Sequence, residues 1–326
     1  VDDRRAGWTI GIDVGGTKIA AGLLDPASGR RGNVRVRPTA AERGGEAVLA
    51  EVEAIAHDMA AEAAASGERV IAVGVGVPEL VDAAGRITSA HAFDWRALPV
   101  LERLGDLGPT VIAADVRAAA LAEARLGAGI PFGSFAYVSV GTGISSTLVI
   151  DGVPWAGSRG AALVLSSGPL SVPCPCCGAL EPVVLEEFAS GPALVRRLSE
   201  HTGRAWPGAE AVLAAADSGD AAALDVVASA ATALGSAIGF LVNVTDPEAV
   251  VVGGGLGSAP GPYWDCLVPS VRRHVWNPAA QSLPVVQSSL GPNAGWLGAA
   301  LAAIDAAGKA GRAAGAAPTL AVVGGR

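Results

Sequence analysis

The sequence predicts an α/β protein built from two like halves, with a ligand held in the cleft between them. Two glycine-turned hairpins carry that prediction. Residues 8–24 read as a strand, a Gly-Gly turn and a second strand, and residues 135–150 repeat the pattern around Gly-Thr-Gly. Composition is the third observation. Of 326 residues, 51% are hydrophobic and only 17% charged, and alanine supplies much of the apolar share. A chain of that kind buries a large core and packs many helices.

The elements follow in order. Residues 35–38 continue the first sheet. Residues 46–65 place Val48, Leu49, Val52, Ile55, Ala56 and Met59 at helical intervals. The apolar run 70–77, closed by Pro78, reads as a buried strand; 110–114 is another strand and 116–126 a helix. Strands are expected at 135–140 and 147–150, and a loop rich in Gly, Pro, Ser and Cys at 152–177. Helices dominate from there to Val244. Residues 249–252 form a strand entering Gly253-Gly254-Gly255, with a helix opening after it, and 296–307 is a helix of small residues. The expected division is 1–116 for an N-terminal domain and 117–300 for a C-terminal domain. Residues 301–326 would be a helix and tail returning to the N-terminal domain.

Several function classes are disfavoured. Basic residues number 23 and acidic residues 31, a net charge of −8, which argues against nucleic acid or an anionic membrane as partner. The acidic start of the chain does not resemble a signal peptide, so a cytoplasmic location is expected. Residues 226–245 carry no charge over 20 positions, yet Ser229, Thr232, Ser236 and Asn243 interrupt them, which favours a buried helix over a membrane span. Four cysteines are too few for a disulfide scaffold.

Three glycine turns are candidates for phosphate binding. Asp13, Gly15, Gly16, Thr17 and Lys18 lie at the tip of the first hairpin, where successive backbone N–H groups can cradle an anion. Lys18 adds charge, Thr17 a hydroxyl, and Asp13 could hold magnesium through water. Gly141, Thr142 and Gly143 repeat the arrangement, and Gly253, Gly254 and Gly255 follow a strand. Each turn alone is equally an ordinary β-turn; three together point to a nucleotide. No GxxxxGK[ST] occurs, and Gly74-Val75-Gly76-Val77-Pro78-Glu79 fails the dinucleotide fingerprint at its last position. Asp115, between a strand and a helix, is either a helix N-cap or a general base that takes a proton from a hydroxyl attacking a phosphoryl group.

Taken together, IGIDVGGTKIAAGLLD, VGVGVPELVD, ADVRAAALAEARLGAG, YVSVGTGIS, LEEFASG, TDPEAVVVGGGLG and LGPNAGWLGAALA resemble the ROK family of sugar kinases. The resemblance implies a two-domain actin-like ATPase (ribonuclease H-like) fold with a central cleft, magnesium-ATP as phosphoryl donor, a small polyol as acceptor and a homodimer. It implies Asp115 as catalytic base, residues 13–18 and 141–143 as phosphate loops, 253–255 as the adenosine-side turn, and Glu186 as an acceptor-binding carboxylate. With no room before Trp8 for a helix-turn-helix, the repressor branch is not expected.

The departures concentrate on the acceptor side. Ala114 stands where the family has Asn before its Asp, and Ala92 replaces an acceptor-side Asn. In the family's GExGH segment, Val164 takes the place of the Glu and Ser167 that of the His. Glu79 and Ser145 replace glycines. Removing three hydrogen-bonding partners, at about 1–3 kcal/mol each, would weaken glucose binding severely. A kinase for an altered acceptor, an amino sugar or cyclitol, is therefore expected, with Glu79, Asp94 and His91 as replacement contacts. The bland alternatives are a solvated Glu79 and a surface His91. An ordinary glucokinase, a decayed ligand sensor and an ATP-using hydrolase are the competing activities. Cys174, Cys176 and Cys177 match part of the family's structural zinc site, but the His and the last Cys are Ser167 and Val184, so zinc competes with a reduced thiol cluster.

Overall fold

The computed structural model describes residues 7–173 and 177–315. Twelve strands and nine α-helices occur among them. The first half contains β1 (Trp8–Val14), β2 (Lys18–Leu24), β3 (Arg31–Pro38), α1 (Gly45–Ala65), β4 (Val70–Val77), α2 (Val100–Arg103), β5 (Thr110–Ala114) and α3 (Asp115–Leu126). The second contains β6 (Ser134–Val140), β7 (Ile144–Ile150), β8 (Val153–Pro154), β9 (Pro169–Pro173), β10 (Leu180–Val184), α4 (Leu185–Ala189), α5 (Gly191–Thr202), α6 (Ala209–Asp217), α7 (Ala221–Thr245), β11 (Ala249–Gly253), α8 (Pro262–His274), β12 (Val285–Gln287) and α9 (Ala294–Gly315).

The two main sheets have the same topology. One runs β3-β2-β1-β4-β5 and the other β8-β7-β6-β11-β12. In each, an antiparallel meander of three strands is extended by two parallel strands. The duplication read from the two hairpins is therefore a property of the whole sheets, and the fold is the two-domain actin-like one. Helices α3 and α9 lie between the sheets, α1 covers the outer face of the first, and α4–α8 cover the outer face of the second.

Strand alternation explains the layers. Ile10, Ile12 and Val14 of β1 join the core beneath α1, together with Val73, Val75 and Val77 of β4. Thr9, Gly11 and Asp13 point the other way. In β6, Ala136, Val138 and Val140 face the outer helices while Phe135 and Tyr137 face α3 and α9. The first sheet meets α9 through glycine: a Cβ on Gly11 would strike the Trp296 carbonyl, one on Gly74 the Ala299 carbonyl, and one on Gly22 the Trp296 ring. Helix and sheet backbones touch there with no side chain between them.

Some boundaries differ from the sequence reading. The helix expected over 296–307 runs Ala294–Gly315, so the division expected at 301 falls inside it, and the division expected at 116 falls inside α3. The loop expected over 152–177 contains β8, a 3-10 turn and β9, which pairs with β10 in a small separate hairpin. Cys174 and Cys176 lie outside the described residues; Cys177 is exposed on the β9–β10 connection. Helix α7 is long and apolar enough to cross a membrane by length and composition, yet its Val227, Ala231, Leu234 and Ile238 are buried in the second core against α8. Asp220 caps it, accepting from the Ala223 N–H at 3.0 Å.

Gly74→Ala should lower the unfolding free energy by about 1–3 kcal/mol, read as a lower denaturant midpoint at an unchanged m value, because the added methyl has no space. Gly105→Ala, where a Cβ meets open space, is the control and should change stability by about 0.5 kcal/mol or less.

Candidate active site

The strand ends of both sheets deliver the glycine turns to one cleft. In the first turn the Gly15 N–H donates to the Lys18 carbonyl at 2.9 Å, and the Thr39 hydroxyl donates to the Gly15 carbonyl at 2.6 Å. Thr39 is fully buried and fixes the turn from the end of β3. In the second turn the Gly141 N–H donates to the Gly143 carbonyl, and the Gly141 carbonyl accepts from the first amide of α5, both at 2.9 Å. The hydroxyls of Thr17 and Thr142 stand 3.4 Å apart. Two turns 125 residues apart in sequence thus meet across the cleft.

The third turn abuts the second. Gly254 has φ of 80°, and a Cβ there would strike the backbone of Val140. The Val140 carbonyl accepts from the Leu256 and Gly257 amides at 3.0 and 3.1 Å. No helix opens directly at this turn, contrary to the sequence reading; α8 starts only at Pro262. Gly255 is open and exposed.

Between these elements lies a cavity of about 240 Å³. Asp13, Lys18 and Asp115 line it with Tyr137, Ser139 and Ser145 of the second sheet, Gly254, Gly255 and Ser258 of the third turn, and Gly291, Pro292 and Gly295 at the start of α9. Gly295 is required: a Cβ would collide with the Asp13 carboxylate. The Ser258 hydroxyl is buried with no hydrogen-bond partner, an orphan that a ligand could satisfy.

The two carboxylates have displaced titrations. Burial pushes Asp13 up to about 6, against the attraction of Lys18. Burial and then the Asp13 charge push Asp115 up to about 7, with Glu79 adding to the rise. The Val116 amide, 2.6 Å from Asp115 Oδ1, and the Arg117 cation oppose it. Ala114 occupies the N-cap position of α3 and Asp115 is the first helical residue, so Asp115 is not the N-cap. Its carboxylate stands at the cavity wall with a titration suited to a base near neutral pH.

Three carboxylates expected at the acceptor have other partners. Glu79 is 2% exposed and accepts from the amides of His91, Ala92 and Phe93 and from the Ser89 hydroxyl. It is neither solvated nor presented to a ligand: it folds the 89–93 loop, because a buried carboxylate needs donors and these amides supply them. Asp94 is exposed and forms a bidentate pair with Arg96, whose cation holds it well below the usual carboxylate range. Phe93 and Trp95 on either side are the buried ones, with ring centroids 4.7 Å apart. Glu186 accepts from the Ile144 amide at 2.7 Å and lies on Gly143, so it braces the second turn. His91 is exposed. No cluster of three or more His, Cys, Asp or Glu side chains suited to a metal occurs among the described residues.

Sequence reading missed Tyr137, Ser139, Ser258 and the start of α9. Ser139 and Ser258 carry no local signal. The Gly-Pro-Asn-Ala-Gly run at 291–295 did mark a turn before a helix, but only its contact with Asp13 gives Gly295 a reason.

Two sheets of one topology, with paired glycine turns over a cleft carboxylate, define an actin-like phosphotransferase architecture. The sequence pattern of the ROK family matches residues 9–306, and the chain belongs to that family. It is 31% identical to a glucokinase of Streptomyces coelicolor over 90% of this chain and 96% of that protein. It is 29% identical to an N-acetylmannosamine kinase of Escherichia coli over 90% and 98%. Among solved structures, a ROK hexokinase from Thermus thermophilus has a TM-score of 0.74 at 33% identity, covering 93% of this chain and 99% of that one. A ROK glucokinase from Streptomyces griseus in complex with glucose and AMPPNP has 0.76 at 29%, covering 92% and 100%.

A raised carboxyl binds its proton more tightly in the folded than in the unfolded chain, so stability falls as pH rises from about 4 to about 7. Asp115→Asn removes this penalty. Its unfolding free energy should exceed that of the wild type at pH 8 by on the order of 1–2 kcal/mol, after allowing for solvent at the cavity wall, and match it near pH 4, with melting temperatures ordered the same way.

Proposed function

We propose that this chain is an ATP-dependent kinase that phosphorylates a hydroxyl of a sugar-like small molecule, an amino sugar or a cyclitol rather than glucose. The observation that carries the reading is Asp115, a carboxyl pushed up to about 7 at the wall of a cavity that Asp13, Lys18 and Gly254-Gly255 of the third glycine turn also line. Asp115 accepts the acceptor's hydroxyl proton while the oxygen attacks the γ-phosphorus. The new O–P bond forms as the bond to the β,γ-bridging oxygen breaks, and ADP leaves. Lys18 and the amides of the first two turns hold the phosphate oxygens and stabilise charge on the transferring group. The Ser258 hydroxyl faces the nucleotide and acquires the partner it lacks.

Magnesium, which the family implies, suits the donor set here: Asp13 offers hard oxygen ligands on the cleft floor, and burial there penalises its charged form, a penalty that a cation would offset. When bound, it would neutralise charge on the β- and γ-phosphates.

The segment that resemblance assigns to acceptor recognition is apolar. Leu163 holds a left-handed backbone at φ 59°, a strained conformation for a leucine, and Val164 is 43% exposed. A ring that presents fewer hydroxyls to this segment than glucose would fit it. Glu79 and Asp94 are committed to other partners, which leaves an amine without those two carboxylates and favours the cyclitol.

ADP release with Mg-ATP against glucose, N-acetylmannosamine, free amino sugars and cyclitols tests the reading. Turnover should be highest on a non-glucose acceptor and fall about 10²–10⁴-fold in Asp115→Ala. Glucose as best acceptor overturns the specificity, and turnover that survives Asp115→Ala overturns the mechanism. Activity should also decline below about pH 7, as Asp115 takes up its proton.

A further inference from the structure

One cationic side chain beside the candidate base joins the two halves of the molecule. Arg117 is the third residue of α3, and its guanidinium donates to the Val81 carbonyl at 2.6 Å and to the Gly160 carbonyl at 3.0 Å. Val81 belongs to the first half: it lies just beyond β4, is buried in that core and bridges to Ile87. Gly160 belongs to the second half, in the loop between β8 and the 3-10 turn at Leu165–Ser167. The two segments touch directly. Gly160 has φ of 75°, and any Cβ there would strike the Val81 carbonyl.

The choice of residue is informative. A half-buried guanidinium spends its fork on two neutral carbonyls, although burial of the cation is unfavourable. A planar fork can bridge two main-chain oxygens at once, which an ammonium does less well. The loop so held is the one containing Leu163 and Val164, and it is anchored a second time by the Ser146 hydroxyl on the Leu163 carbonyl at 2.5 Å. Arg117 therefore sits where three things meet: the helix that bears Asp115, the turn after β4, and the loop assigned to the acceptor.

We propose that Arg117 is a positioning residue that fastens the 157–163 loop to the first half and so closes the acceptor side of the cleft next to Asp115. The inference rests on the kinase reading for its functional consequence but not for the fastening itself. Closure at this point orders the acceptor and keeps water from the γ-phosphate. The nucleotide side of the cavity, built from the third turn and the start of α9, does not depend on it.

The experiment compares wild type with Arg117→Gln, Arg117→Lys and Gly160→Ala. Each is assayed for Mg-ATP turnover with whichever of glucose, N-acetylmannosamine or myo-inositol is best for the wild type, and for ATP hydrolysis without acceptor. Hydrogen exchange is followed at 80–88 and 157–163. Arg117→Gln should raise the acceptor KM about tenfold, leave the ATP KM within about twofold, and increase hydrolysis relative to transfer. Gly160→Ala, which pushes the segments apart while keeping the Arg117 side chain, should do the same, and Arg117→Lys should restore part of the loss. Exchange should rise at both segments and not in the β1–β2 turn. A merely structural role would lower all rates together with the folded fraction, with both KM values unchanged; that result overturns the proposal. Unchanged exchange at both segments overturns it too. If no acceptor is turned over by the wild type, the kinase reading fails, while exchange still decides whether Arg117 fastens the loop.

Discussion

The backbone of α9 lies directly on the first sheet, and the rest of the site depends on that contact. Gly11 and Gly74 leave the helix carbonyls of Trp296 and Ala299 against bare strand backbone, and Gly22 receives the Trp296 ring. A single methyl at any of these points would lift the helix. With the helix seated, Gly295 comes against the Asp13 carboxylate and Gly298 against the Ala118 backbone of α3. One close approach thus sets the depth of Asp13 and also the position of the helix that carries Asp115. The cleft floor is a consequence of helix–sheet packing.

That floor is electrostatically unusual. Two carboxylates share a region withdrawn from solvent, with one lysine among the groups that line it. Burial holds both above their ordinary range, and the Asp13 charge raises Asp115 further, an arrangement that weakens the apo fold above neutral pH. Natural sites accept such a burden where a ligand or a reaction repays it. Other ionisable groups show the opposite economy. Glu79 is wrapped by three amides and Glu123, fully buried, by the amides of Ala128 and Leu290 and the Ser288 hydroxyl. Those carboxylates are wrapped by several donors and are structural, whereas Asp115 accepts from the Val116 amide and lines the cavity with Asp13.

The acceptor side shows how a residue type can mislead when its environment is unknown. A glutamate at 79 and an aspartate at 94, in a chain that lacks the family's usual polar contacts, look like substitutes for them. In three dimensions Glu79 organises the loop that carries Phe93 and Trp95 into the first core, and Asp94 pairs with its neighbour Arg96. Glu186 likewise acts on the second glycine turn through Ile144. No linear pattern distinguishes a carboxylate aimed at a ligand from one aimed at backbone amides two or three turns away, because the donors come from segments whose position is set by the core.

What the sequence alone determined is the set of local instructions: alternating apolar strands at 8–14 and 70–77, glycine at the hairpin tips, helical spacing over 46–65, and an aspartate at the step from strand to helix. Period and turn chemistry fix these within a few residues, so the duplicated α/β plan, the three glycine turns and Asp115 were all legible. Tertiary structure alone decided which groups meet. The Thr17–Thr142 approach, the collision that makes Gly295 obligatory and the bridge from Arg117 to Val81 and Gly160 join residues that lie tens to hundreds of positions apart. Such contacts follow from how two sheets close on α3 and α9, and that closure is a property of packed volumes rather than of any local run of residues.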